Sequence, residues 1–93
     1  MDTEEAKSIL SKLLGEYRAK SYGELVRLLK AQDTSEVDSE SGERYQVEFQ
    51  AVWDDKEGGN LRVVGSIDDG RKRAFMPLTD DFIIDPNGEF VGE

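Results

Sequence analysis

The sequence predicts an α+β domain in which an N-terminal αα-hairpin packs on one face of an antiparallel β-meander of three to five strands. Apolar residues recur at steps of three and four over residues 1–32, which is typical of amphipathic helices. From residue 44 onward apolar and polar residues alternate, which is typical of half-buried strands. A chain of 93 residues is short enough for one domain over residues 1–93. We predict a helical hairpin over 1–32, an acidic mobile linker over 33–43 and the antiparallel sheet over 44–93.

Two helices are predicted within the hairpin. The first begins after Asp2 or Thr3, either of which can cap its free backbone N–H groups. The second begins at Ser21, because Ser21 and Glu24 have the spacing of a capping box. The apolar stripe of the first helix consists of Ala6, Ile9, Leu10, Leu13, Leu14 and Tyr17, and that of the second of Tyr22, Leu25, Val26, Leu28 and Leu29.

Three strands and a final hairpin are predicted for the sheet. The first two strands align best with Trp53 opposite Leu61 and Phe49 opposite Gly65. An Asp69-Gly70 type I′ turn then leads into a third strand over residues 71–78. A Pro-then-Gly turn over residues 85–88 indicates a last short hairpin. In this register the helix-covered face comprises Tyr45, Val47, Phe49, Trp53, Leu61, Val63, Ile67, Ala74, Met76 and Leu78, with Leu61 facing Leu78, Val63 facing Met76 and Gly65 facing Ala74.

The opposite face of the predicted sheet carries apolar residues where a solvated face would be mainly polar. The register sets Val52 beside Arg62 and Val64 beside Phe75, with Arg73 at the rim. Either the C-terminal hairpin folds across this group, or the group contacts a protein partner or a second copy of the chain. We therefore predict partner binding by Val52, Arg62, Val64, Arg73 and Phe75, with Phe75 as the anchor.

Composition and charge exclude several classes of function. The formal net charge is −9, and residues 33–60 alone carry nine acidic and two basic side chains, which argues against binding to nucleic acid or an anionic membrane. The chain has no cysteine and no histidine, which excludes Cys zinc sites, Ser-His-Asp triads and Cys-His dyads. We expect a cytoplasmic protein, because the acidic start is unlike a secretory signal and no apolar run is long enough to span a bilayer.

The many carboxylates leave two alternatives beside a protein-interaction domain. An acidic inhibitor or immunity-type protein would use the acidic middle of the chain to meet a basic target such as a nuclease. A divalent-metal-dependent enzyme would use Asp and Glu, although no glycine gives the spacing of a calcium-binding EF-hand loop. Aspartates in turns commonly bond to nearby backbone, and we predict that role for most of them. The leading hypothesis is a small non-catalytic protein-interaction domain without cofactor or metal.

Overall fold

The computed structural model describes residues 2–70 and 77–93, and it has the α+β architecture that the sequence predicts. Four strands form one antiparallel sheet in the order β1-β2-β3-β4. Among the described residues, no helix is both long enough and apolar enough to cross a membrane. The elements are α1 (Thr3–Arg18), α2 (Tyr22–Val26), a 3₁₀ turn (Arg27–Leu29), β1 (Asp33–Asp38), β2 (Arg44–Trp53), β3 (Leu61–Asp68) and β4 (Leu78–Ile84).

Side-chain caps determine where both helices begin, as the sequence predicts. Asp2 Oδ1 accepts a hydrogen bond from the Glu5 N–H at 3.1 Å, which satisfies a free donor of the first turn of α1. At α2, Ser21 Oγ accepts from the Glu24 N–H and Glu24 Oε1 accepts from the Ser21 N–H, each at 3.2 Å. After five residues α2 tightens into the 3₁₀ turn, which packs on β2 and buries Leu28.

The helices cover one face of the sheet, and the core lies between the two layers. α1 packs against β3 and β4, and the odd-numbered residues of β2 and β3 point toward the helices, as predicted. Phe49 lies opposite Gly65 and stacks on the ring of Tyr17, with ring centroids 4.0 Å apart. The buried apolar residues are Ala6, Leu10, Leu14, Leu25, Leu28, Tyr45, Val47, Phe49, Ala51, Leu61, Val63, Ile67, Phe82 and Ile84.

The first part of the predicted linker over 33–43 is instead an edge strand, so that prediction was wrong. β1 pairs with β2, with Asp33 opposite Phe49 and Val37 opposite Tyr45. Pairing at a sheet edge uses backbone groups, so a segment with a single apolar residue can form a strand there. Beyond the strand, the N–H and Oγ of Ser39 donate to the Glu43 carbonyl at 2.8 and 2.9 Å, which closes the turn into β2.

The strand beside β3 also differs from the prediction. β4 places Ile84 opposite Leu61 and Phe82 opposite Val63, so the predicted partners Leu78 and Met76 were wrong. Asp80, and not Ala74, lies opposite Gly65. Residues 71–76, to which the third strand was mainly assigned, lie outside the described residues.

The predicted type I′ turn at Asp69-Gly70 is wrong as well. Such a turn needs positive φ at both central residues. Gly70 has φ of 72°, but no described residue other than glycine has a positive φ, and this includes Asp69. Leu78 nevertheless stays on the helix-covered side, because it lies opposite Ile67.

The C-terminal segment forms the predicted short hairpin along the outer edge of β4. The Asp85 N–H donates to the Glu89 carbonyl at 2.8 Å, and Ile84 bridges to Phe90. The guanidinium of Arg18 lies 4.0 Å from the centre of the Phe90 ring and donates to Glu93 at 2.7 Å. These contacts attach the end of the chain to α1.

Candidate protein-binding surface

The outer face of the sheet, which is the face away from the helices, is built by strand alternation. Even-numbered residues of β2 and β3 point to this face, since their odd-numbered neighbours fill the core. The register then aligns Val52, Arg62 and Ile83 in one row across β2, β3 and β4, and Gln50, Val64 and Asp81 in the next. We call Val52, Arg62, Val64 and Ile83 the outer patch.

The outer patch exposes apolar surface. The side chain of Val52 is 47% exposed, the largest value among the described large apolar residues. Val64, diagonal to Val52 on β3, and Ile83, beyond Arg62 on β4, are half-buried. The backbone N–H of Val91, itself 37% exposed, donates to the Ile83 carbonyl at 2.9 Å, which brings another apolar residue to this side of the sheet edge. Apolar residues grouped on one sheet face around a charged residue are typical of a protein interface.

Arg62 is held across the patch by two carboxylates. Its Nη2 donates to Asp54 Oδ1 at 2.7 Å and its Nε to the same oxygen at 3.2 Å, while Nη1 donates to Asp81. The hydrogen bonds to Asp54 and then to Asp81 raise the pKa of Arg62 above its usual value. The guanidinium is partly exposed, so solvent screening keeps the contribution of these pairs to stability small. Their main effect is to fix the position of the charge beside Val52 and Val64.

The structure brings together three of the five residues predicted for this surface. Val52, Arg62 and Val64 are neighbours in the predicted β2–β3 register. Arg73 and Phe75 lie outside the described residues, and the positions predicted for them beside β3 belong to Thr79 and Asp81 of β4.

The C-terminal hairpin does not cover this surface. Ile83 belongs to β4 itself, and Phe90 meets the buried Phe82 edge-on with ring centroids 5.6 Å apart. The hairpin therefore extends the sheet beside β4, and Val52 stays open to solvent.

Sequence reasoning missed Ile83 and Asp81. The segment Leu78–Ile84 does carry a strand signal, because Leu78, Phe82 and Ile84 share the parity that faces the core. Asp80 interrupts that pattern at the position opposite Gly65. The Asp69-Gly70 pair is a stronger local signal for a hairpin turn, and it favoured residues 71–78 as the partner of β3.

Asp55 and Asp85 hold backbone in turns, as predicted, whereas Asp54 bonds to Arg62. Asp55 Oδ1 accepts from the N–H groups of Lys56 and Asn60 at 2.7 and 2.8 Å, and this lowers the pKa of Asp55. Asp85 Oδ1 accepts from Asn87 and Glu89, each at 2.9 Å. Within the described part of the chain, no three Asp or Glu side chains converge as metal ligands would.

No family model matches the chain, and no curated protein or solved structure is significantly similar to it. The function is therefore inferred from the geometry of the chain itself.

Proposed function

We propose that the protein is a small non-catalytic protein-interaction domain that binds a partner, or a second copy of itself, through the outer patch. The observation that supports this is Val52, which stays nearly half exposed on the same sheet face as Val64 and Ile83, a face that is otherwise polar. Arg62, fixed by Asp54 and Asp81, supplies an oriented charge next to this apolar group. We keep Arg73 and Phe75 in this proposal on the evidence of the sequence alone. We place the protein in a reducing compartment such as the cytoplasm, because it contains no cysteine.

A matched pair of variants on β2 tests this function. Val52→Lys puts a charge into the apolar group, whereas Gln46→Lys puts the same charge on the same face of the same strand, outside the patch. We expect Val52→Lys to abolish complex formation in light scattering and in capture from native lysate, and Gln46→Lys to retain it. Helical circular dichroism confirms that both variants fold. Complexes of equal strength for wild type and both variants would contradict the proposal.

Phe75→Glu tests whether Phe75, which the sequence predicts as the anchor of this surface, contributes to binding. It should remove the complex and leave the helical circular-dichroism signal unchanged. Loss of the helical signal would show that Phe75 is a core residue and would remove it from the surface.

An acidic inhibitor of a basic target is the second candidate, favoured by the position of the carboxylates. Residues 33–60 carry nine acidic and two basic side chains, and Glu36, Asp38 and Glu48 are all exposed. Charge-driven association of this kind weakens steeply as salt is added, because screening shortens the reach of each charge. A Kd that does not change with salt concentration would exclude this candidate.

A further inference from the structure

The edge strand β1 has backbone groups that no described strand bonds. Among the described strands β1 pairs with β2 alone. Just after the strand, the Ser39 N–H donates to the Glu43 carbonyl. Because every second residue of an antiparallel strand bonds to the same neighbour, Val37 and Ser35 also form their backbone hydrogen bonds with β2. The N–H and C=O groups of the alternate residues Thr34, Glu36 and Asp38 therefore point away from the sheet.

The side chains of those same residues add negative charge to the free edge. Glu36 lies opposite Gln46 and Asp38 opposite Arg44, on the outer face of the sheet, and both carboxylates are exposed. Asp38 accepts a hydrogen bond from Arg44 Nε at 2.9 Å. The free edge of β1 thus presents backbone N–H and C=O groups to solvent, with the carboxylates of Glu36 and Asp38 beside them.

The inner side of β1 borders an open groove. Because α1 packs over β3 and β4, two open depressions of about 460 and 540 Å³ remain between α1 and β1. Ile9 and Val37 line the first, and Leu13, Ser35 and Phe49 line the second. Ile9, Leu13 and Val37 are only partly buried, so they offer apolar contact beside the free backbone edge, although most of the groove lining is polar or charged.

We propose that β1 binds an extended segment of a partner protein in which basic and apolar residues alternate. A strand added to this edge would form backbone hydrogen bonds with Thr34, Glu36 and Asp38. Its residues opposite Glu36 and Asp38 would lie on the outer face, where lysine or arginine complements the carboxylates. The residues between them would point into the groove, where valine or leucine would contact Ile9 and Val37.

Charge selects this occupant over a second copy of the chain. Two β1 strands paired with each other would bring Glu36 and Asp38 of one copy against the same carboxylates of the other, and like charges on facing strands are destabilising. The net charge of −9 adds repulsion between copies at longer range. Charged edge strands also discourage aggregation. The groove, with the partly buried Ile9, Leu13 and Val37 beside the free edge, is the additional feature that points to a ligand.

The test uses a seven-residue peptide that alternates lysine and valine, and a second peptide of the same composition with its valines consecutive. Titration into the full chain should shift the amide resonances of Thr34, Glu36 and Asp38 and slow their hydrogen exchange. The alternating peptide should bind more tightly than the blocked one. Glu36→Lys should weaken binding by about threefold to tenfold, as expected for reversing one cross-strand charge pair. Glu57→Lys, the same charge change in the exposed β2–β3 turn, should leave binding within about twofold of wild type.

Several outcomes would overturn the proposal. Equal binding of the two peptides, equal effects of the two lysine variants, or resonance shifts confined to other surfaces would each do so. Self-association that is changed by Glu36→Lys would assign the edge to a second copy instead. Val52→Lys, which tests the outer patch, should leave this peptide titration unchanged, so the two proposals can fail separately.

Discussion

At the scale of single residues, Gly65 is the position where the core leaves least room for a side chain. A Cβ atom there would lie 2.5 Å from Cε1 of Phe49 and 3.0 Å from Cδ1 of Leu10. The Phe49 ring has little freedom to move away, because it is stacked on the Tyr17 ring. The contact explains why glycine occupies a central strand, where it otherwise weakens the sheet.

Gly65→Ala should therefore destabilise the protein by about 1–3 kcal/mol, since overpacking forces Phe49 or the backbone to shift. Gly15→Ala is the matched control, because a Cβ at Gly15 meets nothing within 4 Å and the residue lies inside α1. This control should stabilise the protein by about 0.5–1 kcal/mol. Urea unfolding measures both changes, and a shift of both midpoints in the same direction would contradict the packing described for Gly65.

Glu5 provides a pH-dependent contact between α1 and the sheet. Its Oε1 accepts hydrogen bonds from Ser41 Oγ at 2.8 Å and from Tyr45 Oη at 2.9 Å. The Ser41 bond, followed by the Tyr45 bond, lowers the pKa of Glu5 below its usual value of 4.5. Burial and the neighbouring Glu5 carboxylate raise the pKa of Tyr45.

The lowered pKa of Glu5 fixes the sign of its effect on stability. A carboxyl whose pKa is lower in the folded state stabilises the fold above its unfolded pKa, and that stabilisation disappears as pH falls through the folded pKa. Glu5→Gln should therefore be less stable than wild type near pH 7, and the difference should shrink below about pH 4. Urea midpoints across this range give the result. Glu4→Gln, on the exposed first turn of α1, is the control, and an equal pH trend for both variants would contradict a specific role for Glu5.

At the scale of elements, β1 is the strand whose formation depends most on its neighbour. Its burial is slight, since only Val37 is partly covered, and its position is set by pairing with β2. Thr34 lies opposite Glu48, and Ser35 lies opposite Val47. By the alternation of an antiparallel pair, the Ser35 N–H bonds to β2, whereas the Thr34 N–H points away from the sheet.

Proline at these two positions tests that alternation. Ser35→Pro removes a ladder donor and should cost about 1–3 kcal/mol, whereas Thr34→Pro removes an outward N–H and should cost less than about 1 kcal/mol. Both residues are exposed and polar, so the pair differs mainly in where the N–H points. Urea unfolding supplies the measurement. Equal tolerance of both prolines is the result expected of an unpaired linker, and it would remove β1 from the sheet.

The elements also show how far the sequence predicts this fold. The alternation of apolar and polar residues and the Phe49–Gly65 pair were enough to predict β2, β3 and their register. The spacing of Ser21 and Glu24 was enough to predict the start of α2. β1 could not be recognised, because an edge strand with one apolar residue has no hydrophobic period.

The sequence also could not choose the partner of β3. The predicted segment and β4 differ in register by an even number of residues, so both place Leu78 on the covered face. The alternation of apolar residues is therefore compatible with either segment as the partner of β3. The choice between them depends on contacts distant in sequence, such as those of Phe82 with Phe90 and of Arg18 with Glu93.

At the scale of the whole molecule, the order of the four strands determines which residues each surface presents. The helices cover one face, which leaves the outer patch on the other face and the acidic edge of β1 at one side. The outer patch depends on β4, because β4 places Ile83 and Asp81 beside Arg62 and Val64. A different partner for β3 would give the outer face a different composition and would change the proposed interface.

Nuclear Overhauser contacts of the Val64 Hα proton test this arrangement most directly. The Asp54 N–H donates to the Asn60 carbonyl, so by alternation the backbone N–H and C=O of Val64 bond to β2. Val64 therefore has no backbone hydrogen bond to Asp81, which lies opposite it on β4. Hα protons approach most closely in such pairs. We predict a strong Hα–Hα contact between Val64 and Asp81. A contact between Val64 and Phe75 in its place would show that residues 71–77 lie beside β3 and would contradict the sheet on which the outer patch is built.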